Sequence, residues 1–291
     1  MKNVIWLVIF INKTIYYKMN FSFNKTSFKN NQTHSFHLVD SSPWAIICSF
    51  GIFSLTVGFS LYVNNFSGGF ICLLTGLITI IYIMFVWWRD IIRETVFEGQ
   101  HTSRVKLSHR FGMILFIISE IMFFFAFFWS FFHFSLSPSH EIGGIFPPIG
   151  INVLSPWEIP LINTMFLLLS GFTVTFCHEL IIFGNRKLSL ISLLWTIFLA
   201  VIFTSFQLFE YFHSPFDISD GVYGSTFFLF TGFHGFHVFV GTIFLMICFI
   251  RLYNNHFTKE HHFGFEAACW YWHFVDVVWL FLFITVYWWS S

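Results

Sequence analysis

The chain has 291 residues, of which 56% are hydrophobic and only 10% charged, and its 14 Lys and Arg balance its 14 Asp and Glu. A soluble domain puts about a quarter of its residues into these four types to cover its surface, so the composition excludes a water-soluble globule, and zero net charge argues against nucleic acid as a partner. Seven membrane spans need about 140 apolar positions; the chain holds about 163.

Residues 1–33 stand apart, rich in Lys and Asn, with one apolar run from Val4 to Ile11 that is too short to cross a bilayer. No small-x-small cleavage site follows it. The segment reads as an extension on the non-translocated side or a disordered one, with Met19 as an alternative start, ahead of a membrane domain at 34–291.

Weakly charged runs then follow from Trp44 to Val63, Gly68 to Trp88, Phe111 to Ser135, Ile159 to Phe183, Leu188 to Phe209, Ser225 to Ile250 and Phe263 to Trp289. Each is long enough to cross as a helix. The segments between them carry Asn, Gly, Pro and charge, as loops do. Lys and Arg stay on the non-translocated side in short loops, and with an inside N-terminus all 14 of them fall on that side, from Lys2 to Lys259. The opposite loops carry acids, including Glu141, Glu158, Asp217 and Asp220. So complete a partition predicts seven spans with the termini on opposite sides. The five cysteines form no C-x-x-C and read as small buried hydrophobes.

An ionisable group at membrane depth costs about 2.5 to 3.5 kcal/mol on the insertion scale, so each calls for a reason. Glu120 lies within SEIMFFFAFFWSFF, among Phe and with no Lys or Arg nearby on its helix. It is either a protonatable carboxyl that reacts as the neutral acid with hydrophobic carbodiimides, or an uncharged acid hydrogen-bonded to a neighbouring helix. His234 and His237 share one helix face, and His178, His213 and His273 also sit at or near spans. No two spans show the paired histidines that a haem between helices needs, and Cys269 with His273 is too thin for copper. Polar gluing between helices is the better account of most of these histidines. Gly51, Ser54 and Gly58, then Gly68, Gly69 and Gly76, then Gly232, Gly235 and Gly241 predict closely packed helix faces. WWRDIIRE sets Trp88, Arg89, Arg93 and Glu94 at an interface, with His101 beyond it and Arg251 ending the sixth span. Arg93 and Arg251 can each hold a lipid phosphate.

The strings HSFHLVDSSPWA, WWRDIIRE, RFGMILFIISEIMFFFAFFW, LINTMFLLLSG, DGVYGSTFFLFTGFHGFHVFVGT and HHFGFEAACWYWHFVDVVWLFLFITVYWWSS resemble subunit III of mitochondrial cytochrome c oxidase, a member of the haem-copper oxidase family of subunits. The abundance of Phe, Ile and Asn fits a gene with A/T-rich codons, as in an organelle. The resemblance implies an all-α membrane protein in which seven transmembrane helices take a two-plus-five arrangement around a lipid-filled cleft. It implies a core subunit without a redox centre, with haem and copper held by partner subunits I and II, in contact with accessory subunits and structural phospholipids. The expected place is the mitochondrial inner membrane, N-terminus in the matrix and C-terminus in the intermembrane space. By motif, Trp88, Arg93, Glu94, His101, His234 and Arg251 would bind phospholipid and Glu120 would be the buried carboxyl, while the chain protects the catalytic subunit during turnover and supports matrix-side proton uptake. A bacterial quinol oxidase subunit is a close variant. From other classes, a free-standing transporter or proton channel using Glu120 lacks the internal symmetry such folds show, and a haem enzyme lacks ligand spacing.

Overall fold

The computed structural model describes residues 34–140 and 143–290, so the extension at 1–33 and Glu141 lie outside the described residues. Among the described residues the fold is all-α. Seven helices there, each long and apolar enough to cross a membrane, are α1 (Trp44–Val63), α2 (Gly69–Val96), α3 (Ser103–Leu136), α4 (Ile159–Phe183), α5 (Arg186–His213), α6 (Gly221–Tyr253) and α7 (Phe263–Leu282), the last continuing as a π-helical turn over Phe283–Trp288.

α1 and α4 keep the bounds of their apolar runs, whereas α2 continues to Val96 and α3 begins at Ser103. Hydropathy marks where lipid contact ends, but the backbone ladder continues into the headgroup layer wherever residues such as Arg, Glu and Leu favour helix. True ends carry local signals. Gly184 closes α4 in the left-handed region at φ 85°, and Asn185 then caps α5, its side chain accepting from the Leu188 N–H at 3.4 Å.

The chain forms two compact units, one ending at Leu107 and one beginning at Ser108. In the first, α1 and α2 make a helical hairpin whose backbones touch. A Cβ built on Gly58 would overlap the backbone nitrogen of Leu73, and one on Gly76 would lie 2.5 Å from that of Leu55. Only glycine allows that approach. Ser54 Oγ donates across the same seam to the Cys72 carbonyl at 3.0 Å. Gly68 plays a different part from the one its spacing predicts: with φ 86° it caps the start of α2, and nothing lies within 4 Å of its Cβ position.

The second unit packs around α7. Trp272, Val275, Trp279 and Leu282 are fully buried there, and the indole N–H groups of Trp272 and Trp279 donate to Ser170 Oγ and Thr164 Oγ1 of α4, both at 2.9 Å. Thr173 and Thr196 join α4 to α5 at 2.9 Å. Gly241 of α6 receives the Trp272 ring, as expected of a small-residue face, but Gly232 and Gly235 do not pack closely: nothing among the described residues lies within 4 Å of either Cβ position.

Candidate functional site

The C-terminal turns of α2 gather most of the predicted headgroup residues in the first unit. Asp90 is their anchor. Its Oδ2 accepts from Trp44 Nε1 at 2.9 Å, its Oδ1 from Arg89 Nε and Nη2 at 3.0 and 2.8 Å, and Arg93 Nη1 stands 3.7 Å away. That last pair is long, so most of the Arg93 fork remains able to meet an outside anion. One turn on, Glu94 Oε2 faces His37 Nε2 at 3.9 Å, while His101 meets Thr95 Oγ1 at 3.1 Å. Ligand-capable atoms of His37, Glu94 and His101 lie within 4.8 Å of one another. Trp88 projects outward, about half exposed. Together these groups offer a cation, an acid and imidazoles beside an aromatic, the chemistry of a zwitterionic headgroup site. Asp90 and His37 are members that spacing does not reveal: Asp90 gains its role from Trp44, 46 positions earlier, and His37 lies 57 positions before Glu94.

Arg251 ends α6 in the second unit. Its guanidinium stacks over Phe257, 4.4 Å from the ring centroid, and lies against the backbone of Gly264 at the start of α7, where any Cβ would collide with Nη1. Aromatic and glycine together hold it flat. His256, whose backbone N–H donates to the Arg251 carbonyl at 3.0 Å, is half-buried in the loop beyond. Burial, and then repulsion from Arg251, bring its pKa below the ordinary 6.5.

Glu120 finds the partner on a neighbouring helix that the second reading of it requires. Its Oε2 lies 2.9 Å from His237 Nε2, and His237 Nδ1 lies 2.7 Å from the Phe233 carbonyl. Nδ1 must therefore carry a proton, since a carbonyl accepts only. A single further proton then bridges Nε2 and Oε2, on the acid or on the ring. Phe124 covers the imidazole at 4.9 Å between ring centroids. His234 lies one turn away on the same helix. It is 1% exposed, packed on Trp279 and Phe203, and neither ring nitrogen has a hydrogen-bond partner among the described residues. Seventeen residues separate it from Arg251 on one helix, about 25 Å along the axis. A phosphate held on Arg251 therefore lies out of its reach.

The family model for cytochrome c oxidase subunit III matches residues 34–291. This chain belongs to that family. It is 61% identical over 261 residues to a protein named cytochrome c oxidase subunit 3 from Arabidopsis thaliana and 60% identical over 261 residues to one from Triticum aestivum, in each case covering 90% of this chain and 98% of the relative. A relative of the same name from Prototheca wickerhamii is 59% identical over 258 residues, 89% of this chain and 98% of that protein. As a member of the subunit III family the chain is a component of a terminal oxidase, a multisubunit respiratory enzyme.

One polar group of this subunit III chain escaped the sequence reading. Glu210, 3% exposed near the end of α5, accepts from Tyr287 OH at 2.6 Å, and Gln207 Nε2 donates to Tyr287 OH at 3.4 Å. Glu210 lies one position past the apolar run that ends at Phe209, so hydropathy alone does not place it inside the helix. The signal available was Gln207 three positions earlier, on the same helix face.

Proposed function

We propose that this chain is the non-redox subunit III of a mitochondrial cytochrome c oxidase, seated against the haem-copper subunit I and the copper subunit II that pass electrons from cytochrome c to O₂. In this reading it binds phospholipid, protects the catalytic subunit during turnover and supports proton uptake from the matrix, with accessory subunits around it. The N-terminus faces the matrix and the C-terminus the intermembrane space. The two-plus-five arrangement with its lipid-filled cleft belongs to the same reading. The observation that carries the lipid role is the convergence of Trp88, Arg93, Glu94 and His101 at one end of α2, where hydrogen bonds and ion pairs to Asp90 orient the cations. Arg251, braced by Phe257, supplies a second phosphate contact. No catalytic step is assigned to the chain; electron transfer stays with its partners.

The test is a paired measurement on the oxidase carrying Arg93→Ala and Arg251→Ala. Retained phospholipid, read by mass spectrometry, falls and active life during turnover shortens, while the initial rate of oxygen reduction stays close to normal. Unchanged lipid content rejects the headgroup assignment, and an immediate loss of initial rate makes the chain catalytic. Orientation is checked separately. A protease confined to the intermembrane side cuts near the exposed Asp217 and spares the equally exposed Arg186 and Lys187. Purification of the chain without haem-copper partners would favour the free-standing transporter instead.

A further inference from the structure

We propose that His178, His262 and Glu266 form a binding site for a divalent transition-metal ion of the zinc type. The three residues come from distant parts of the chain. His178 lies in the last turns of α4, His262 is the N-cap of α7, and Glu266 stands in the first turn of α7. Folding brings their ligand-capable atoms within 4.8 Å of one another. Two imidazoles and a carboxylate are a donor set that suits zinc and leaves a fourth position for water.

The hydrogen bonds around the site point the donors inward. His262 Nδ1 lies 3.0 Å from the Thr258 carbonyl, and because a carbonyl accepts only, that nitrogen carries the proton. When the ring carries no second proton, its Nε2 lone pair faces Glu266 Oε1, 3.5 Å away. Two lone-pair atoms facing each other call for a proton or a cation between them. An N–H to backbone carbonyl bond on the far nitrogen is also how metal-bound histidines are held and oriented. A tetrahedral ion with bonds of about 2.1 Å sets its ligands about 3.4 Å apart, so this pair already has the spacing. His178 packs edge-on against His262, with ring centroids 5.2 Å apart, and its Nε2 is buried without a hydrogen-bond partner among the described residues. The 4.8 Å bound on the three atoms exceeds the tetrahedral spacing by about 1.4 Å at most, so an inward turn of that ring closes the site.

Arg110 is the competitor. Its guanidinium holds both oxygens of Glu266, at 2.8 to 3.1 Å, and so neutralises the carboxylate an ion would use. The Arg110 side chain is about half exposed, free to swing toward water and give up one oxygen. Glu179, next to His178 on α4, adds negative charge close by. The site is thus set between an internal cation and an external one.

The experiment uses the whole oxidase, stripped with a chelator and then loaded with zinc alone. Anomalous scattering at the zinc edge places an ion within about 2.0 to 2.2 Å of the three residues. Zinc found only elsewhere in the complex overturns the proposal, and this arm needs no variant to fold. In equilibrium titrations, His178→Gln and His262→Gln each weaken one zinc per complex on the order of 100-fold, at least the loss that outer-shell changes cause. Arg110→Gln strengthens the same zinc about tenfold by removing a neighbouring positive charge, an effect that a merely structural role for the ion pair cannot produce. Unchanged zinc binding in both histidine variants also overturns the site. The result is independent of the lipid reading, whose failure appears in phospholipid content.

Discussion

Helices α1 and α2 meet through side chains that are missing, whereas α4, α6 and α7 meet through side chains that are large. In the first unit, glycines at 58, 69 and 76 let two backbones touch, and most of the remaining residues of α1 are exposed in the chain while most of those of α2 are only half-buried or exposed. In the second, α7 is more than half buried, and tryptophans with polar handles bind it to α4. Lipid removes the hydrophobic drive between helices, so a membrane fold must associate by close packing or by interhelical hydrogen bonds. The first unit leans on close backbone packing, with the Ser54 hydrogen bond across it, and the second on large side chains and their interhelical hydrogen bonds. They fail differently: a backbone seam tolerates no added atom, while an aromatic seam loses strength in steps.

The largest effect is expected at the glycine seam. Gly58→Leu places a Cβ into the Leu73 and Cys72 backbone, which no rotamer change can relieve. A loss of about 3 kcal/mol or more follows, the upper range for overpacking, seen as loss of subunit III from the isolated complex. Gly235→Ala is the matched control in the second unit. Its Cβ enters open space, so assembly stays at the wild-type level. Equal damage from both would remove the distinction between the units.

The aromatic seam gives the next effect. Trp279→Phe keeps most of the buried ring but abandons Thr164 Oγ1, which the indole N–H reaches at 2.9 Å. The cost is about 1 to 3 kcal/mol, read as faster thermal loss of assembled enzyme. A cycle with Thr164→Val isolates the hydrogen bond, at about 0.6 kcal/mol and no more than about 1.7. Coupling near zero would assign α7 to shape alone.

How much of this was legible follows from range. Span number, the bounds of α1 and α4 and the small-residue seam of the hairpin are local properties, because composition and spacing within one helix determine them. Pairings across the bundle are not. His237 as the partner of Glu120 lies 117 positions away, and His178 and His262 are separated by a whole helical hairpin. The histidines read as polar glue for want of close sequence neighbours; His237 and His273 do hydrogen-bond across helices, while His234 has no such bond among the described residues. Glycine spacing also over-predicted packing at Gly232 and Gly235, since a small residue permits contact without supplying a neighbour.

Glu120 adds a polar joint to the aromatic unit, and its replacement is a smaller test. Glu120→Gln keeps the shape, and its amide N–H can donate to His237 Nε2, so stability changes by no more than about 1 kcal/mol. Labelling by a hydrophobic carbodiimide disappears, because the shared proton has lost its acid. His237→Ala does the opposite: it retains the acid, strips its partner at 2.9 Å and costs about 1 to 3 kcal/mol. Full labelling of the Gln variant moves the reactive carboxyl elsewhere, with Glu266 and Asp276 the next to replace.

The smallest expected effect lies at the polar edge of the second unit, where burial reaches into the loop between α6 and α7. His256 titrates below 6.5 there because burial, and then Arg251, disfavour its cation. In the unfolded chain the same ring takes up its proton near pH 6.5. Between the two values the unfolded state binds more protons, so stability falls as pH drops through 6.5 and levels off once the folded ring has titrated as well. Its contribution is fully present above that window. His256→Asn removes the titration, so thermal inactivation of the variant oxidase depends less steeply on pH between 8 and 5.5 than that of the wild type. The two profiles converge at the acid end, where the wild type has lost its advantage. Parallel profiles would mean that the ring is as well solvated in the folded loop as in the unfolded chain, and that the burial of the second unit stops at the end of α6.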